Sequence, residues 1–208
     1  MPKFPEPPSV AMLAAVHPDR AVVPQGTRLW RIYFAGGAHP VAWNAFRDFG
    51  PTNSRFDHHL PPSAVQDRGI LYAATTGMTP FAEVFQETRV IDRRRNAPWL
   101  AAFDLGRPLE LLDLTDGWPT RAGASMAINS GPRPKARRWS QRIYEAYQAI
   151  EGLWYPSSMD GNRPAVALYE RGLEALPARP VFHRALADSA LSVTVLRAAR
   201  RFGYAVVG

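Results

Sequence analysis

Residues Gly69–Thr88 read GILYAATTGMTPFAEVFQET, and the two halves of this stretch carry different periods. Gly69–Thr75 is an unbroken run of apolar and aromatic residues closed by threonine, which predicts a short buried strand. Thr79–Thr88 predicts a helix, with Thr79 able to cap it and Pro80 suited to its first turn. On that helix Phe81, Val84 and Phe85 share one face, while Glu83 lies off the stripe. A buried strand therefore hands over through a short linker to a helix that carries one carboxylate.

Similar signals continue on both sides. Arg28–Ala35 (RLWRIYFA) predicts a strand ending at Gly36-Gly37. Phe49–Pro62 is polar and rich in proline, and reads as a loop. Trp99–Asp104 and Leu109–Leu114 look like paired strands about Arg107-Pro108. Pro134–Ile150 is the longest helical pattern, with Trp139, Ile143 and Tyr147 at spacings of four. Gly152–Tyr155, Ala165–Glu170 and Val181–Ala185 read as strands. Leu191–Phe202 reads as an amphipathic helix ended by Gly203, and Tyr204–Val207 as a closing strand. Many short strands interleaved with few helices indicate an α+β fold rather than a doubly wound sheet. The first 25 residues open with four prolines in nine and predict an extended or partly ordered arm. Residues 26–208 form the expected catalytic domain.

Composition narrows the chemistry. The 208 residues include no cysteine, which excludes disulfides, a thiolate nucleophile and iron–sulfur clusters. No apolar run approaches the roughly 20 residues of a membrane span, and no signal peptide is evident, so a cytoplasmic protein is expected. The net charge is +7, and all but two of the 25 basic residues are arginine. That skew fits GC-rich codon usage as well as it fits phosphate binding. The segment with Arg133, Lys135, Arg137, Arg138 and Arg142 is the best nucleic-acid candidate. It reads more simply as a solvated face whose charges meet acids or a partner protein, so direct nucleic-acid binding is not expected.

The common nucleotide loops and the nucleophile elbow are absent. His58-His59 is the sole histidine pair and lacks metal-ligand spacing, so no metal is expected and the pair reads as part of a polar loop facing a cleft. Three features resist a core reading. Arg31 interrupts an aromatic strand, where an unpaired charge is costly to bury. Glu83 sits within an apolar helical turn. Ser157-Ser158 follow a short strand in Tyr155-Pro156-Ser157-Ser158.

Taken in order, RIYFAGG with Arg31, LYAATTGMTPFAEVF with Glu83, and GLWYPSSMDGNRPAVALYE with Ser157 resemble the RES domain, a family named for its Arg, Glu and Ser. The resemblance spans residues 28–207. It departs in one loop, where Thr52–Asp57 keeps an arginine, Arg55, but lacks the family's two glycines. The resemblance implies a split mixed or antiparallel sheet flanked by helices, as in ADP-ribosyltransferases of the diphtheria-toxin type. It also implies a toxin of a toxin–antitoxin pair that consumes NAD, neutralised by an Xre-type antitoxin.

The residues suit that chemistry. Arg31 and Arg55 can hold a diphosphate through charge-assisted hydrogen bonds. Tyr72 offers a face to nicotinamide, with Tyr33 or Phe56 beside it. Glu83 can stabilise the oxocarbenium-like cation formed when the nicotinamide–ribose bond breaks. Ser157 has no histidine base near it in sequence and is read as a hydrogen-bonding partner of substrate or of Glu83, with Ser158 as its competitor for that role. The resemblance implies inorganic phosphate or water as the acceptor. A protein ADP-ribosyltransferase using the same pocket, and a nucleic-acid module using residues 133–142, are the alternatives.

Overall fold

The apolar run at Gly69–Thr75 is the inner half of an eleven-residue strand, Ala64–Ala74. The computed structural model describes residues 3–208. Its strands are β1 (Arg20–Val23), β2 (Arg28–Phe34), β3 (Arg47–Gly50), β4 (Ala64–Ala74), β5 (Val90–Asp92), β6 (Pro98–Asp104), β7 (Leu109–Asp113), β8 (Gly152–Pro156), β9 (Pro164–Tyr169), β10 (Phe182–Ala185) and β11 (Ala205–Val207). Its α-helices are α1 (Val10–Ala14), α2 (Thr79–Val84), α3 (Trp118–Arg121), α4 (Arg133–Ala146) and α5 (Ser192–Phe202).

The main sheet runs β1-β7-β8-β9-β4-β2-β6-β10, with β3 added to the outer half of β4. Its pairs are antiparallel except β7–β8, so the sheet is mixed and the domain is α+β. Strands β5 and β11 form a separate parallel ribbon. One joint is weak. Strand β2 pairs β6 along its whole length, but meets β4 only at Trp30 and Ala74. The sheet splays there, and the cavity described below opens at that splay.

Three apolar clusters hold the layers. One packs α4 (Trp139, Ile143) and Trp118 against β8 and β9. A second lies between β2, β6, β7 and β9, around Leu29, Phe103 and Leu109. The third seats α2 and α5 on β2, β5 and β6 through Phe81, Phe85, Ile32, Leu100 and Val195. Helix α5 ends as its glycine predicts, with Gly203 in the left-handed region at φ 66°. Among the described residues no helix is long and apolar enough to cross a membrane.

Several local expectations need correction. Strands β6 and β7 do not pair with each other: β6 lies between β2 and β10, and β7 between β1 and β8. Their connector is held by other partners, with Leu105 N–H donating to Thr27 and Gly106 N–H to the Ala175 carbonyl. It also contains Pro108, which has no amide for a tight hairpin turn. Helix α2 stops at Val84, well before Thr88, and Thr79 is its first residue rather than its cap. The Thr79 hydroxyl is spent on Asp160, 2.8 Å away. The Phe49–Pro62 segment begins in β3 before it becomes irregular.

The segment expected as an arm is tied to the domain. Phe4 is buried against Trp139, whose indole N–H donates to the Pro5 carbonyl at 2.9 Å. Glu6 takes both Arg138 nitrogens at 2.6 and 2.8 Å, and β1 forms one edge of the sheet beside β7.

His58-His59 does not face a cleft; both rings are fully buried. His58 lies against Tyr144 and Tyr169 at 4.3 and 4.6 Å, and burial, reinforced by the charges of His59 and Arg68, holds its imidazole neutral. His59 lies between two acceptors, the Asp57 carboxylate 2.6 Å from its Nδ1 and the Arg68 carbonyl, to which its Nε2 donates at 2.7 Å. Burial pushes the Asp57 carboxyl up, but bonds from His59 and Thr52 and the Arg47 charge outweigh it and hold it well below the carboxylate range. A depressed carboxyl stabilises the fold above its unfolded value, and that contribution fades as pH falls through the folded value. Asp57→Ala is therefore expected to cost about 3 kcal/mol at pH 7 by breaking a buried pair. In urea melts the gap from wild type should narrow below about pH 4; a gap that stays constant with pH counts against this account.

Candidate active site

Between the splayed strands β2 and β4 lies a cavity of about 540 Å³, closed by α2, the Thr52–Phe56 loop, the start of α4 and the turn after β8. It receives Arg31, Tyr33, Arg55, Tyr72 and Glu83, residues far apart in sequence. Strand alternation explains part of this. Arg31 and Tyr33 lie two apart on β2 and so share a face, as Tyr72 and Ala74 do on β4.

Arg31 is the cavity's half-buried cation. Its Nη1 donates to the Trp43 carbonyl at 2.8 Å and the Ala45 carbonyl at 3.3 Å, while its buried Nε has no partner. Burial lowers its pKa to about 10, with Tyr33 opposing, so it stays charged at neutral pH. Among the described residues no carboxylate forms an ion pair with it. A half-buried cation with no carboxylate partner, lining a cavity, is a site for an anion.

Glu83 stands in the opposite electrostatic position. Burial raises its carboxyl, and the Ser157 hydroxyl, Arg55, Gln86 and Arg133 offset only part of that rise. Ser157 is fully buried and its hydroxyl donates to Glu83 Oε1. The Ser157 backbone is fixed by its N–H to Arg163 O (2.9 Å) and by its own carbonyl accepting from Asn162 (3.0 Å). Ser158, not Ser157, lines the cavity. The two serines thus have different places: Ser157 reaches the cavity through Glu83, and Ser158 faces it directly.

Arg55 donates to the Gly131 carbonyl at 2.5 Å, and burial together with the nearby Arg133 charge lowers its pKa. The Tyr72 hydroxyl is buried without a partner, and burial pushes its pKa up. Tyr33 turns its hydroxyl to His183 Nε2 at 2.5 Å, leaving its ring to line the cavity. Phe56 is fully buried with its ring 4.8 Å from Tyr155.

The fold adds residues that sequence reading did not place here: Trp30, Gln86, Asn129, Arg133 and Tyr155. Arg133 was legible only as the head of a basic helix. In the structure its nitrogens reach Glu87 and Gln86 at 2.6 and 2.7 Å, on the turn that follows the helix carrying Glu83. Its neighbours are engaged too. Arg138 binds Glu6, Arg142 binds Glu145, Lys135 donates to the Phe4 carbonyl, and Arg137 meets Asn53. Among the described residues no cluster of metal-ligating side chains is found.

These features define a mixed α+β domain whose split sheet holds an arginine-lined cavity around one hydrogen-bonded glutamate. The RES domain model matches residues 28–190, and the chain belongs to that family. A chain in the crystal structure of the M. tuberculosis MbcT–MbcA toxin–antitoxin complex has a similar fold, with a TM-score of 0.53. That match covers 84% of this chain and 89% of the other at 15% identity. No curated protein matches the sequence.

Proposed function

We propose that this protein is a toxin-type enzyme that cleaves the nicotinamide–ribose bond of NAD, with Glu83 as the catalytic carboxylate. The observation that carries the reading is Glu83 itself: a half-buried carboxylate, oriented by Ser157, in a cavity that also holds the Arg31 cation with no carboxylate partner. Arg31 and Arg55 hold the diphosphate, and Tyr72 and Tyr33 flank the nicotinamide end. Cleavage breaks the C1′–N bond, and its electron pair leaves on the pyridinium nitrogen to give neutral nicotinamide. Glu83 stabilises the cation left on the ribose, and an oxygen of phosphate or water then bonds to C1′, an anionic oxygen in the case of phosphate and with loss of one proton to solvent in the case of water. No general acid or metal is needed, because the pyridinium is already a good leaving group.

Phosphate is the favoured acceptor. Arg133 and Gln86 add a second cationic, hydrogen-bonding wall beside Glu83. The toxin role, action in the cytoplasm and neutralisation by an Xre-type antitoxin rest on family membership and on the likeness to a chain of a toxin–antitoxin complex.

Incubation of the pure protein with NAD, with and without phosphate, is the direct test. Nicotinamide release with a phosphorylated ADP-ribose, identified by mass, is expected in phosphate; free ADP-ribose is the product if water is the acceptor. Absence of nicotinamide in both arms rejects the reading. Label from NAD retained on a protein band would shift it to ADP-ribosyl transfer.

A further inference from the structure

Asp160 follows Ser157 by three residues and is 2% exposed, yet it lines no part of the cavity. Its two carboxylate oxygens are divided between two other elements. Oδ1 accepts from Arg201 at 2.6 Å (Nη2) and 3.2 Å (Nε), at the end of α5. Oδ2 accepts from the Thr79 hydroxyl at 2.8 Å, at the start of α2. Thr79 lies one helical turn before Glu83, so the two share a side of α2. The Asp160 backbone closes the turn that carries Ser157, its N–H reaching Ser157 O at 3.4 Å and its carbonyl accepting from Arg163 at 3.0 Å. The far end of α2 is tied to the same C-terminal segment by Tyr204, whose hydroxyl donates to the Ala82 carbonyl at 3.1 Å.

From this juxtaposition we infer that Asp160, braced by Arg201, is a positioning residue that sets the Ser157 hydroxyl against the Glu83 carboxylate. It does so by clamping the Ser157 turn to the N-terminus of the Glu83 helix. The inference rests on the reading of Glu83 as the working carboxylate, and it extends the site to α5, outside the cavity. The fold has reason to keep this clamp. Helix α2 is only six residues long and lacks a side-chain cap, so its own backbone cannot fix it. A charged hydrogen-bond hub supplies what a longer helix would supply by itself.

The sign of the effect on Glu83 separates positioning from simple electrostatics. Removing the Asp160 charge would by itself make Glu83 easier to ionise. Loss of the Ser157 bond acts the other way and makes it harder. Arg55, Arg133, Tyr155 and Tyr204 are the other charged or titratable groups facing Glu83, and the substitutions below leave them in place.

The experiment titrates the Glu83 carboxyl by carbon-13 NMR in the free protein, for wild type, Ser157→Ala, Asp160→Asn and the double variant. Asp160→Asn is expected to move the Glu83 midpoint upward, in the direction of Ser157→Ala, by about half a pH unit or more. The double variant should add little beyond Ser157→Ala alone. In NAD turnover, kcat should fall about tenfold with KM within about twofold. Arg201→Gln, at the exposed end of the clamp, carries the test should Asp160→Asn fail to fold: losing its charge raises the midpoint in any background, so the reading is that its upward shift largely disappears when combined with Ser157→Ala. Arg200→Gln, on the exposed face of α5, is the control and should match wild type. A folded Asp160→Asn or Arg201→Gln with a Glu83 midpoint at or below wild type overturns the inference. So does full additivity with Ser157→Ala. The titration needs no NAD, so failure of the clamp and failure of the NAD reading give different results.

Discussion

Glu83→Gln is expected to lower NAD cleavage by about a thousandfold while raising the temperature of unfolding. The size of the loss follows from removing a preorganised charge opposite the developing cation in a water-poor site, where one such contact is worth roughly 3–4 kcal/mol. The gain in stability follows from the sign of the carboxyl's shift. Burial raises the Glu83 pKa above its unfolded value, despite Ser157, Arg55, Gln86 and Arg133. A carboxyl raised in the fold contributes stability that is lost as pH rises through the folded value. Above the unfolded value the carboxyl is thus a cost to the fold, which glutamine removes while keeping an acceptor for the Ser157 hydroxyl. Thermal melts at pH 5 and pH 8 check this, with the larger gain at pH 8. Wild-type rates in Glu83→Gln would remove the carboxylate from the mechanism.

Arg31→Lys is expected to lower kcat/KM for NAD by about a hundredfold, mainly through KM. Lysine keeps the charge but not the planar fork that bonds two oxygens at once. Arg31 Nη1 is already committed to the Trp43 and Ala45 carbonyls, which hold the guanidinium plane and leave its remaining edges for a ligand. An ammonium cannot bond both carbonyls and still present a second donor in that plane. Initial rates across NAD concentrations separate KM from kcat. An unchanged KM in Arg31→Lys would reassign the diphosphate to Arg55 and Arg133. Both substitutions strike groups that the fold holds at a cost, a half-buried acid whose carboxyl desolvation raises and a half-buried cation with no carboxylate beside it. Groups kept against stability in this way mark where a protein does its work.

Much of the fold was legible because it is written locally. The apolar run before Thr75, the aromatic strand with Arg31, the spacing of Trp139, Ile143 and Tyr147, and the glycine after Phe202 each predict their element from neighbours within one or two turns. Strand β5 was not legible, since three residues carry too little pattern. The mistaken pairing of β6 with β7 has a related cause. Both strands are apolar on both faces, so nothing in their sequence states which neighbour each takes.

The site divides the same way. Arg31, Glu83 and Ser157 could be singled out one at a time, because a charge inside an apolar element and a serine at a strand end are local anomalies. Arg133 could not, because its basic neighbours hide it in a surface stripe. Nor could Asp160, because an aspartate before glycine in a turn is ordinary turn chemistry until Thr79 and Arg201 arrive beside it. The sequence by itself determined the α+β class, the strand and helix that bear the arginine and the glutamate, and the absence of cysteine chemistry. The tertiary structure alone decided that the sheet splays between β2 and β4, that Ser157 rather than Ser158 binds Glu83, and that Arg133 turns inward. Those outcomes depend on which distant surfaces meet, and a side chain's partner across the fold leaves no periodic trace in the chain that carries it.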